Sequence, residues 1–80
     1  MPVTIECQLL DFVRGLKPEN QNVQADTDLI ATEGLDSFSV LELVSFIAER
    51  FSAAPPIGDI TANNLRTVTT IVRLIEERWK

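Results

Sequence analysis

Asp36-Ser37-Phe38-Ser39-Val40-Leu41-Glu42-Leu43-Val44-Ser45-Phe46-Ile47-Ala48-Glu49-Arg50-Phe51 is the stretch on which the fold turns. Val40, Leu43, Val44, Ile47 and Phe51 recur at the spacings that put apolar side chains on one face of an α-helix, and no alternating, strand-like run competes with them. Asp36 stands where a helix cap belongs, because its carboxylate can accept the unpaired N–H groups of the first turn. The opposite face carries Glu42, Ser45 and Glu49, with Phe38 nearby and Leu41 and Phe46 toward the flanks. The outward surface is therefore mixed, acidic and aromatic.

Two more helices flank this one. From Thr4 to about Val13, Ile5, Leu9, Phe12 and Val13 keep helical spacing, with Thr4 as cap, Glu6 in the favourable first turn and Gly15 near the end. Lys17-Pro18-Glu19-Asn20-Gln21-Asn22 is polar and turn-forming, and it opens a long connection to Asp36 anchored by Val23, Leu29 and Ile30. A connection of that length in so small a domain usually serves a function. Beyond the middle helix, Pro55-Pro56 removes backbone donors and Gly58 permits a tight turn. A short helical turn is expected around Thr61 to Arg66. Thr67 then caps a last helix striped with Val68, Ile71, Val72, Ile75 and Trp79, the tryptophan tethering the C-terminus. The expected fold is all-α: a small bundle of three main helices plus one short helix, with a long loop between the first and second, in one domain over residues 1–80.

Composition narrows the function. Eighty residues with 45% hydrophobic side chains make a single core near the lower size at which domains fold unaided. The lone Cys7 and the absence of histidine exclude an internal disulfide and a four-ligand zinc site, and Cys7 reads as a small buried hydrophobe on the first helix. Asp26, Asp28 and Glu33 lack the spacing of a calcium loop, so no metal is predicted. Without a run approaching the roughly 20 apolar residues of a membrane span, or a basic-then-apolar opening, the chain is expected to be soluble and cytoplasmic. Seven basic against twelve acidic residues give a net charge of -5, which repels nucleic acid and favours basic protein surfaces as partners.

Ser37 lies at the mouth of the middle helix with no histidine in the chain to activate it. It reads better as a handle that another enzyme modifies than as a nucleophile. A Ser-Lys hydrolase would have to draw on Lys17 or Lys80, and neither has a sequence context that recommends it. Taken alone, Asp36-Ser37 is an ordinary capping pair; the flanking residues change that reading.

Gly34-Leu35-Asp36-Ser37-Phe38, with Asp28-Leu29 before it and Val40-Leu41-Glu42-Leu43-Val44 after it, resembles the signature of acyl carrier proteins and the related peptidyl and aminoacyl carriers. The likeness runs from the first helix to Trp79, including Leu65-Arg66-Thr67-Val68. It implies that a phosphopantetheinyl transferase attaches 4'-phosphopantetheine from coenzyme A to Ser37, and that the arm's thiol carries acyl or aminoacyl cargo as a thioester. It implies further partners: an acyl- or aminoacyl-loading enzyme and a downstream synthase or transferase, with the carrier itself a monomer and not an enzyme. Asp36, Phe38, Leu41, Glu42 and Glu49 are the implied partner-binding residues, Asp36 helping to place the transferase's magnesium or coenzyme A; the alternatives are that Phe38 is a staple packed on the long loop and that Glu42 and Glu49 are simply solvated charges.

Leu29, Val44, Ile47, Leu65, Val68 and Ile71 either line an acyl cleft or form ordinary core. Ser39, Ala48 and Arg50 stand where carriers of fatty-acid synthases commonly have acidic residues, so the resemblance is nearer to discrete carriers of polyketide or nonribosomal peptide pathways. The alternative is an unmodified acidic helical interaction module, in which Ser37 would be dispensable.

Overall fold

A computed structural model describes residues 4–79. Helix α1 (Ile5–Leu16) starts at Thr4, whose hydroxyl accepts the Cys7 amide at 3.1 Å. It ends at Leu16, a little beyond Val13, with Gly15 in its last turn near the end as expected. A 3-10 turn follows at Pro18–Asn22, with proline in its first positions where a missing N–H costs nothing. Helix α2 (Ser37–Phe51) ends at Ser52, which adopts a left-handed conformation at φ 54°. Helix α3 (Val68–Leu74), capped by Thr67, runs on into a wider π-type turn at Ile75–Trp79. Among the described residues every regular element is helical, and no helix is long and apolar enough to cross a membrane.

All three helices and the loop give side chains to one core. Leu9 and Val13 from α1, Leu43 and Ile47 from α2, and Val68, Ile71 and Ile75 from the last helix meet Leu29 and Leu35 from the long loop. Burial of these residues at ~25 cal/mol per Å² of apolar surface is the main stabilising term, as nothing covalent supports the fold. On α2 the buried stripe is narrower than periodicity suggests: Leu43 and Ile47 are fully enclosed, whereas Val40, Val44 and Phe51 are half-buried at its margins. Cys7 corrects another expectation. It lies on the exposed side of α1 and is no part of the core.

The connection between α2 and α3 also departs in detail. Its regular helical piece is a 3-10 turn at Ile57–Asp59. Thr61 to Arg66 holds a single bonded turn, with the Leu65 amide on the Thr61 carbonyl at 3.0 Å and the Asn64 amide on the Thr61 hydroxyl at 3.2 Å.

Candidate functional site

The long loop reaches Ser37 as an ordered strap. Asp28 accepts the Ile30 and Ala31 amides through one carboxylate oxygen, turning the chain, while the Leu29 amide bonds the Arg66 carbonyl at 2.7 Å and drops Leu29 into the core. The Thr69 amide and hydroxyl both bond the Ala25 carbonyl, and Arg14 holds the Val23 carbonyl with two guanidinium N–H groups at 2.9 and 2.7 Å. Loop backbone therefore finds partners both within itself, as in the Leu35 amide on the Leu29 carbonyl, and on α1, α3 and the Arg66 carbonyl just before α3.

Two residues of the 17–20 turn then fasten the segment before Ser37. The Asn20 amide nitrogen donates to the Val13 carbonyl at 2.9 Å and to the Gly34 carbonyl at 3.1 Å, from a side chain inside the fold. Gly34 is needed for that approach: a Cβ there would sit 3.2 Å from Asn20 Oδ1 and 3.3 Å from a Leu29 methyl. Lys17 Nζ donates to the Glu33 carbonyl at 2.9 Å and pairs with Asp36 Oδ2 at 3.1 Å. Glu33 itself has φ 59°, a left-handed conformation that disfavours a residue with a side chain.

Asp36 completes the entry to α2. Its Oδ1 accepts the Ser39 amide at 2.8 Å, as an N-cap should. The Ser39 amide, then the Lys17 ammonium and the Ser39 hydroxyl, draw the carboxyl down from 3.8 to about 2. Asp36 thus remains an anion and an acceptor throughout the physiological range. Ser39, which sequence periodicity put on no apolar stripe, is buried beneath it.

Ser37 occupies the first position of α2 and is exposed. Its hydroxyl makes no side-chain hydrogen bond among the described residues, and the Ser37 and Phe38 amides belong to the first turn, where no intrahelical acceptor exists. Phe38 and Leu41 are 69% and 68% exposed, large apolar side chains held in water beside the serine's helix end. Leu41, Glu42 and Glu49 share one open groove with Ser45 and with Phe12 and Phe46 from the α1–α2 seam. Those two rings stack with centroids 4.3 Å apart, and Arg50 lies over Phe46 at 5.3 Å. Of the expected partner-binding residues, Leu41, Glu42 and Glu49 thus share a groove along α2, Phe38 is exposed in its first turn, and Asp36 is its cap, held by Lys17 and the Ser39 amide.

Leu29, Ile47, Leu65, Val68 and Ile71 form part of the closed core, and Val44 is half-buried. None of the six lines the α1–α2 groove. Among the described residues no three acidic or cysteine side chains converge as a metal site. Sequence reasoning missed Lys17 and Asn20, whose contacts with residues 33, 34 and 36 join distant points of the chain and leave no local pattern. A lysine and an asparagine beside a proline, at the start of an unusually long loop, were the available signal. The sequence matches no family model and no curated protein.

Proposed function

We propose that this chain is a carrier whose Ser37 is the attachment point for 4'-phosphopantetheine. The observation that carries the reading is the state of Ser37: an exposed hydroxyl with no side-chain hydrogen bond among the described residues, at the first position of a capped helix that follows a braced loop, within Gly34-Leu35-Asp36-Ser37-Phe38. The residues suit the group. Unpaired first-turn amides and the positive end of the helix dipole favour a phosphate beside Ser37, and the exposed position admits a modifying enzyme.

In attachment, Ser37 Oγ would take the phosphopantetheine group from coenzyme A as a phosphodiester, displacing adenosine bisphosphate as the leaving group. The serine proton passes to a base on the transferase, because this chain has no histidine to take it. Once in place, the group supplies a mobile thiol that carries acyl or aminoacyl cargo as a thioester. The chain's own part is to hold Ser37 outward and to present Phe38, Leu41, Glu42 and Glu49 to partners, with charge steering encounters that remain brief. Loading enzymes and synthases of polyketide or nonribosomal peptide assembly are the partners this reading favours, in the cytoplasm.

The alternative, an unmodified acidic interaction module, draws on the exposed Leu41, Glu42 and Glu49 alone and leaves Ser37 dispensable. Incubation with coenzyme A and a broad-specificity phosphopantetheinyl transferase, followed by intact-mass measurement, separates the two. A mass gain that vanishes in Ser37→Ala supports the carrier; no gain, or one that persists in the variant, rejects it.

A further inference from the structure

We propose that Lys17 is a positioning residue for modification of Ser37, an inference that rests on the carrier reading. Its ammonium bridges two points of the chain just before the serine, the Glu33 carbonyl at 2.9 Å and Asp36 Oδ2 at 3.1 Å. Those two points are where the backbone would otherwise be loosest or least content. Glu33 holds a left-handed conformation at φ 59° that needs external support, and Asp36 must keep its other oxygen on the Ser39 amide at 2.8 Å for the helix to start at Ser37. Lys17 acts on both at once from the end of α1, a separate and well-packed helix.

Asn20, on the same turn, fixes the intervening Gly34 carbonyl at 3.1 Å, so the two side chains grip residues 33, 34 and 36 together. The Lys17 side chain is 25% exposed, against 53% for Asp36. The bracket therefore comes from the protein side and leaves Ser37 open to solvent. Lys17 touches neither coenzyme A nor the reacting oxygen in this account. It sets the direction in which the Ser37 hydroxyl leaves the helix, and small errors in such a direction are costly, since about 1 Å of misplacement can lower a rate ~100-fold.

The test uses full-length protein carrying Lys17→Met, which keeps the stem without the charge, and Lys17→Arg, which restores a cation. Transferase kinetics with coenzyme A are read beside two measurements needing no transferase: NMR titration of the Asp36 carboxyl and amide hydrogen exchange at Ser39 and Val40. In Lys17→Met the expected results are an upward move of the Asp36 titration, faster exchange at both amides, and a roughly tenfold fall in kcat with KM for the carrier little changed. Lys17→Arg should recover most of kcat.

A fall in efficiency through KM alone would make Lys17 a docking contact and overturn the proposal. So would normal modification of Lys17→Met despite a moved Asp36 titration, or titration and exchange identical to wild type. If wild-type protein itself gains no mass, the carrier reading has failed and the role of Lys17 falls with it; if wild type is modified and Lys17→Met keeps pace, the fault lies in this inference alone.

Discussion

Two aspartates fasten the two ends of this molecule, and they do so in opposite settings. At the Ser37 end, Asp36 divides its carboxylate between the Ser39 amide and Lys17, with its side chain 53% exposed. At the other, Asp59 receives the Trp79 indole N–H at 3.1 Å and pairs with Arg78 at 3.2 Å, with its side chain only 17% exposed. Trp79 in turn is buried and offers its carbonyl to the Ala54 amide. The Asp59 end closes the bundle over an aromatic side chain. The Asp36 end is built from polar contacts near the surface, which fix direction while contributing little to burial. On the proposed carrier function, one end would serve stability and the other the presentation of Ser37, and substitutions should separate them.

Trp79→Ala should give the largest loss of stability, about 3 to 5 kcal/mol in urea unfolding, because it empties a large buried volume and frees Asp59. Below its midpoint, modification of Ser37 should proceed as in wild type; slowing as severe as that of Lys17→Met would show the two ends to be coupled. Asp59→Ala should lose about 2 kcal/mol by leaving the indole N–H without its acceptor, again with Ser37 chemistry intact. Gly34→Ala, at the presenting end, should cost about 1 kcal/mol, since its methyl presses on Asn20 and Leu29. That variant should nevertheless slow modification more than Asp59→Ala does, although it unfolds less readily.

The smallest effect concerns acid. Asp36 has a folded-state pKa lowered to about 2 from 3.8, so its stabilising contribution is complete above the unfolded value and disappears as pH falls through the folded one. Wild type should therefore lose part of its stability between about pH 4 and 2, a loss that Asp36→Asn, still able to cap, should lack. Chemical denaturation across that window gives the comparison; equal acid sensitivity in both proteins would remove Asp36 from the account.

These two ends also differ in how legible they were. Thr4, Asp36 and Thr67 as caps, the α2 stripe through Leu43 and Ile47, and Trp79 as a tether all follow from local chemistry and helical spacing, and all stand in the fold. Exposure of Phe38 and Leu41 follows from the same periodicity. What the sequence did not disclose depends on distant chain meeting. Cys7 is the exception: helical spacing already sets it opposite Ile5 and Leu9 on α1, and the usual burial of its residue type misled. The Lys17 and Asn20 bracket joins residues too far apart for any periodicity to report.

The most direct trial of the central claim is tandem mass spectrometry of the protein recovered from its natural source under conditions that preserve phosphodiesters and thioesters. The account predicts phosphopantetheine on Ser37, on at least part of the population. Ser37 uniformly bare, or the group mapped to another residue, would contradict it.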